Sequence, residues 1–170
     1  MGKEALHELV ITAAKVADAR AITQLRRSVA EQLTSQFGEG QWSAPTSSAE
    51  VRRQMRASHM LVAKQHEHVI GCVRLATVNP RSMSSAGFTP VASALYVLGL
   101  AVAPDMRRIG VGRELLEAAK DVARARRAEA LWLDAFEGQV GAFYERCGFR
   151  RVGPVDKRRA TLQFYEWLVD

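Results

Sequence analysis

The stretch from Tyr96 to Leu116 constrains this chain more than any other. An apolar run from Tyr96 to Ala103 meets Pro104-Asp105, and then Arg107-Arg108-Ile109-Gly110-Val111-Gly112 opens straight into a helical pattern. A buried strand thus hands over to a helix through a basic, glycine-containing loop. At such a junction the first helical N–H groups have no partner inside the helix, and the aligned peptide dipoles place about half a positive charge there. Gly110 and Gly112 let the backbone approach an anion with no Cβ in the way. Arg107, Arg108 and Arg113 add guanidinium donors that suit phosphate oxygens. The implied ligand is a phosphate-bearing anion.

The spacing is neither the dinucleotide fingerprint, which needs three glycines, nor a Walker loop, which ends in Gly-Lys-Ser/Thr. Arg107-x-x-Gly110-x-Gly112 resembles the pyrophosphate loop of the GNAT superfamily, the acyl-coenzyme A dependent N-acetyltransferases. A second segment agrees. Leu131 to Asp134 reads as a short strand, and Gln139 to Cys147 reads as a helix carrying Phe143-Tyr144-Glu145 and closing at Gly148, with Phe149 starting another strand. This ending is similar to the superfamily's second signature, and the resemblance spans Leu9 to Val169. It implies an α/β (α+β) fold with a mixed, mostly antiparallel sheet of about six to seven strands, splayed in the middle, and about four helices on its two faces. A single domain over residues 1–170 is expected.

Composition fits that reading. A chain of 170 residues with 48% apolar and 25% charged side chains can bury a sizeable core as an ordinary globular protein. No apolar run reaches the ~18 residues of a membrane span. The start, Met1 to Leu6, has no signal-peptide core and carries Leu6 where a myristoylation motif wants Ser or Thr, so a cytoplasmic protein is expected. Cys72 and Cys147 stand far apart with no Cys-x-x-Cys pair, and His66-Glu67-His68 reads as a surface turn, so no metal site is expected. The formal charge of +6 raises the question of nucleic acid. The basic residues nevertheless come in short clusters without a recognition motif, and Arg107, Arg108 and Arg113 already have a polyanionic ligand if coenzyme A binds.

Along the chain, Leu9 to Thr12 reads as a strand, and Ile22, Leu25, Val29 and Leu33 share one face of a helix beginning near Asp18. Ser47 or Ser48 caps a second helix running to about Ser58. His59 to Lys64 and Val69 to Val78 form a hairpin, and Asn79 to Pro90 is a long Pro-, Ser- and Gly-rich loop.

The resemblance also implies the chemistry. Acetyl transfer from a thioester needs a neutral amine, a donor for the oxyanion and a proton for the departing thiolate. Tyr144 is the candidate acid, the alternative being that it is half of an aromatic core pair with Phe143. The backbone of Leu100, Ala101 and Val102 is expected to hold the pantetheine arm of acetyl-coenzyme A, with Arg107, Arg108, Ile109, Gly110, Val111, Gly112 and Arg113 around the pyrophosphate. Gly99 sits where a bulge in that strand is expected. Many relatives carry a carboxylate two positions before the Leu-x-Val element, where this chain has Leu98. Asp134 or Glu137 is then the candidate base, acting directly or through water, with Glu166, Tyr96 and His59 as further candidates and a structural role open for each. Phe37-Gly38-x-Gly40-x-Trp42-Ser43, Phe88-Thr89-Pro90, Leu133-Asp134-Ala135 and Tyr165-Glu166 resemble a group of small bacterial GNAT proteins of mostly unassigned substrate. Trp42, Phe88, Tyr96 and Glu166 are the candidate acceptor-pocket residues. The expected acceptor is a primary amine of a small molecule, acidic or zwitterionic in view of the basic chain. A non-catalytic acyl-coenzyme A binding module and a protein N-terminal or lysine acetyltransferase are the alternatives, and a homodimer is compatible with either.

Overall fold

Asp18 organises the first turn of the molecule. Strand β1 (Leu9–Ala13) leads through a 3-10 turn into helix α1 (Ala19–Phe37). At that corner Asp18 Oδ2 accepts the Lys15 N–H at 2.8 Å, and Oδ1 lies 2.7 Å from Lys64 Nζ. Burial works to raise the Asp18 pKa, but the hydrogen bonds from Lys64 and Lys15 outweigh it and hold the carboxyl below its ordinary value. Helix α1 buries Ala19, Ile22, Thr23 and Leu25; of the stripe its sequence spacing predicts, Ile22 and Leu25 are buried while Val29 and Leu33 are half-buried, and the helix ends at Gly38 with φ +79°. Of the two candidate caps for helix α2 (Ser48–Ala57), Ser47 takes the role, its Oγ accepting the Glu50 N–H at 3.1 Å.

Strands β2 (His59–Gln65) and β3 (His68–Ala76) form the expected hairpin, turning at His66, where φ is +52°. There follow β4 (Ala94–Val102), α3 (Val111–Ala125), β5 (Ala130–Phe136), α4 (Gly141–Arg146), β6 (Arg150–Val152) and β7 (Leu162–Leu168). The computed structural model describes residues 8–79, 87–136, 140–153 and 162–170. The helix expected over Gln139–Cys147 is shorter, at Gly141–Arg146. Two compact units divide the chain, one of Met1–Arg74 with Gly99–Ala118 and one of Leu75–Leu98 with Ala119–Asp170.

The strands form one seven-stranded sheet in the order β1-β2-β3-β4-β5-β7-β6. It is mixed: β1 and β2 run antiparallel with Leu9 opposite Gln65, β5 and β7 antiparallel from Ala130↔Leu168 to Phe136↔Leu162, and β6 and β7 antiparallel. The β4–β5 pair is parallel and its register covers Ala94↔Ala130 to Tyr96↔Trp132. Strand β5 is therefore paired along its whole length with β7, whereas β4 meets it over its first three residues. A mixed sheet of seven strands, as expected from the sequence, is observed.

In the first unit, Ala19, Ile22, Leu25, Val51, Met60, Val62, Cys72 and Ala101 pack into one cluster. The next-door residue on β3 points the other way: a Cβ on Gly71 would come within 2.9 Å of Leu115 and 3.1 Å of Val111. Glycine at 71 thus lets α3 lie close on the face opposite α1 and α2. Val111, Leu115 and Leu116 are essentially inaccessible there, and burial of each such side chain contributes roughly 1.5–3 kcal/mol. Among the described residues, no helix is long and apolar enough to cross a membrane.

Candidate functional site

The turn between β4 and α3 adopts the backbone that its composition suggests. Pro104–Met106 makes one 3-10 turn, Arg107 is extended, Arg108 sits at φ +65° and Gly110 at φ +100°. Glycine takes such a φ without strain, whereas a left-handed residue with a Cβ, as at Arg108, costs of order 1–3 kcal/mol. Gly110 O accepts the Glu114 N–H at 3.0 Å, which makes Gly110 the first residue to enter the helical ladder. The N–H groups of Val111, Gly112 and Arg113 open α3 with no acceptor inside the helix. The Val111 side chain is 1% exposed, which anchors the turn, while Arg108 and Arg113 are exposed and Arg107 and Ile109 half-buried. Backbone donors at a helix start, with arginines at 107, 108 and 113 in the same segment, suit a phosphate anion.

Immediately before this turn β4 carries Gly99 at φ +59°, a left-handed residue inside an otherwise continuous strand, directly ahead of Leu100, Ala101 and Val102. Ala101 is buried and its neighbours half-buried. Cys72 Sγ lies 3.9 Å from Gly99 O, and Ala103 N–H bonds Ile70 O at 2.8 Å, which ties this stretch to β3.

In the second unit Tyr144 lies on α4, 8% exposed, with its ring among those of Phe143, Phe149 and Tyr165 at centroid distances of 5.2, 6.1 and 5.6 Å. Burial, and next the charge of Asp134, push its phenol well above the ordinary tyrosine pKa. The hydroxyl is thus held protonated. Asp134 is half-buried on β5, opposite Phe164 of β7. Glu137 lies outside the described residues. The start of α4 is tight, since a Cβ on Gly141 would collide with the Tyr165 hydroxyl.

For the other candidates the packing alternative, open from the sequence, is what the contacts describe. Phe88 stacks on Trp132 at 4.5 Å and meets Phe164 edge-on, while Tyr96 meets Trp132 edge-on at 5.7 Å. Phe88 and Tyr96 are 6% and 7% exposed, so their rings belong to an aromatic core and present little surface to an acceptor. Trp42 packs locally: it meets Phe37 edge-on, donates Nε1–H to Gly38 O at 3.2 Å and covers Gly40. Leu98 packs half-buried against that same aromatic cluster.

Glu166, on β7, has a wholly buried carboxylate with four donors. Thr89 N–H reaches Oε2 at 2.8 Å, Thr89 Oγ1–H reaches Oε1 at 2.6 Å, and Arg150 donates to Oε1 from Nε at 2.8 Å and from Nη2. Burial acts to raise its pKa, yet the Thr89 bonds and Arg150 hold it below the ordinary carboxylate range. This is an anchor for the Thr89 loop. Glu166→Gln is expected to lose about 2 kcal/mol of stability at pH 7, as charge-assisted bonds are exchanged for neutral ones. Because the folded pKa lies below that of the unfolded chain, ionised Glu166 stabilises the fold above the unfolded value of about 4.3, and the contribution fades as pH falls through the folded value. Urea unfolding at several pH values should show the wild-type advantage over Glu166→Gln narrowing towards pH 3. A gap constant with pH would remove the ionised carboxylate from the account.

Among the described residues no group of His, Cys, Asp and Glu is placed to hold a metal ion. Residues 22–149 match the model of the Acetyltransferase (GNAT) family. No protein of curated function matches the chain. Solved structures with similar folds include the PaiA N-acetyltransferase of Thermoplasma acidophilum in complex with coenzyme A, at 15% identity and TM-score 0.73, covering 94% of this chain and 98% of that one. The ribosomal-protein-alanine N-acetyltransferase of Brucella melitensis aligns at 19% identity and TM-score 0.72, over 94% of this chain and 99% of its own. The Salmonella typhimurium protein yncA with its cofactor acetyl-CoA aligns at 18% identity and TM-score 0.69, over 96% and 95%. The family match covers well over half of the chain and includes both the Arg107–Gly112 turn and the Phe143–Phe149 segment: the chain belongs to the GNAT family of acetyltransferases.

Proposed function

We propose that the chain transfers the acetyl group of acetyl-coenzyme A to the primary amine of a small molecule. The observation that carries the reading is the left-handed Gly110 at the head of α3, where the N–H groups of Val111–Arg113 have no acceptor inside the helix, with arginines at 107, 108 and 113. In this reading those groups hold the pyrophosphate, and the main chain of Leu100, Ala101 and Val102, which follows the left-handed Gly99, holds the pantetheine arm. Acetyl-coenzyme A supplies the activated acyl carbon. Tyr144 hands its phenolic proton to the sulfur as the C–S bond breaks, a role that suits a hydroxyl kept neutral by burial. Asp134 or Glu137 takes the proton that the amine nitrogen gives up, directly or through water.

The similarity to a ribosomal-protein-alanine N-acetyltransferase supports a second acceptor class, the N-terminus of a protein. One experiment separates the readings. Thiol release from acetyl-coenzyme A is followed with L-amino acids, small amines, spermidine and peptides bearing N-terminal alanine, while calorimetry measures acetyl-coenzyme A binding. Amine-dependent thiol release with the small molecules is the expected result. Release only with peptides selects the second reading, binding without any turnover makes the chain a binding module, and absence of binding removes both.

A further inference from the structure

Within the first unit, α1 and β3 bring two arginines together. Arg26 Nη1 donates to Gln54 Oε1 at 2.6 Å, and Arg26 Nη2 stands 3.5 Å from where a Cβ on Gly99 would be. Cys72 lies against the same guanidinium and against Gly99 O. Arg74 follows two residues later on β3 and so shares the face of Cys72. Its Nε is buried with no hydrogen-bond partner, and among the described residues no carboxylate pairs with Arg74 or with Arg26. The nearest acid in the network, Glu50, is engaged by Gln54 Nε2 at 3.0 Å and by Arg53. Burial, and next the charge of Arg26, depress the Arg74 pKa. Two half-buried cations facing each other without a counterion are unfavourable, and a bound anion relieves both the repulsion and the orphaned donor.

That anion is not the coenzyme's phosphate. Gly71 faces α3, the helix whose N-terminus carries the phosphate turn, and Cys72 and Arg74 point to the opposite face, beneath α1 and α2. Arg26 does sit beside Gly99, directly ahead of the Leu100–Val102 main chain assigned to the acyl arm, and Arg74 faces Arg26. We propose that Arg26 and Arg74 are the carboxylate-binding side of the acceptor site, so that the acceptor is a small primary amine that also bears a carboxylate. This rests on the acetyl-transfer reading above and adds the substrate class to it.

The test compares L-amino acids with their carboxamides and with spermidine in the thiol-release assay, for wild type, Arg74→Gln and Arg26→Gln. Wild type should prefer a carboxylate to its amide at least about tenfold in kcat/KM. Losing one charge-assisted pair should raise KM for the carboxylate roughly 10- to 100-fold and abolish the preference, with acetyl-coenzyme A affinity unchanged. Arg74→Lys, which keeps the charge, should recover part of it. Circular dichroism checks that each variant folds, and Arg74→Gln decides if Arg26→Gln does not. Preference for amides or spermidine, or an unaltered preference in Arg74→Gln, overturns the proposal while acetyl transfer stands. If no amine turns over, calorimetry of N-acetyl-L-amino acids on the protein saturated with coenzyme A reads the site directly. Binding lost in Arg74→Gln keeps the anion site and removes only the acetyl-transfer reading; no binding by wild type removes the site.

Discussion

Gly110→Val is expected to abolish measurable acetyl-coenzyme A binding while leaving a folded protein. Gly110 sits at φ +100°, a conformation that a β-branched residue adopts only under strain, and the added branch occupies the space where a phosphate would approach the N–H groups of Val111–Arg113. Relief of the strain would swing the turn and take those donors out of line. Each charge-assisted bond contributes about 1.5–3 kcal/mol, so losing two or more weakens binding by well over 100-fold. The strain itself, of order 1–3 kcal/mol, is within what a domain stable by roughly 5–15 kcal/mol tolerates. Gly112→Ala separates strain from bulk: residue 112 lies inside α3 and has no positive φ, so an alanine there keeps the helix geometry and any loss of affinity reports the added Cβ alone. Titration calorimetry together with circular dichroism reads both variants. Wild-type affinity in Gly110→Val would remove the phosphate assignment of this turn.

The turn proposed to take the phosphate was legible as a structure because everything it needs is local. The apolar strand, the arginines, the glycines and the helix start fall in one continuous stretch, and peptide geometry alone says what such a stretch presents. The same holds for the cap at Ser47, one of two serines the sequence offered, and for Ile22 and Leu25 on α1, each set by spacing within one element. Residues whose role depends on partners distant in the chain were not legible in that way. Glu166 reads as a free carboxylate until Thr89 and Arg150 arrive from two other segments and take up its oxygens. Phe88 reads as a loop aromatic near a pocket, yet it stacks on Trp132 and closes a core. Nothing local pairs Arg26 with Arg74: one is a polar residue on an amphipathic helix, the other a charge inside a strand. Only the β3 pleat and the packing of α1 put them face to face. A charged residue within the otherwise buried run Gly71–Ala76 was nonetheless a clue, since such a position demands either a partner or a ligand.

Tyr144→Phe is the second large expected effect, this time on chemistry. The substitution keeps the ring in its contacts with Phe143, Phe149 and Tyr165 and removes a single hydroxyl, so the fold and the coenzyme affinity should change little. A positioned general acid contributes roughly 10²- to 10⁴-fold, and kcat should fall by that factor. Burial and the negative charge of Asp134 hold the phenol protonated throughout the neutral range, so the tyrosine should not itself produce an inflection in the pH–rate profile below pH 10. The profile of Tyr144→Phe should then match that of wild type in shape while lying lower throughout. The measurement needs single-turnover conditions with an amine acceptor identified by the thiol-release panel, because slow product release would mask a change in the chemical step. An unchanged single-turnover rate would return Tyr144 to the aromatic core of α4 and leave the thiolate to take its proton from water or from the ammonium of the attacking amine.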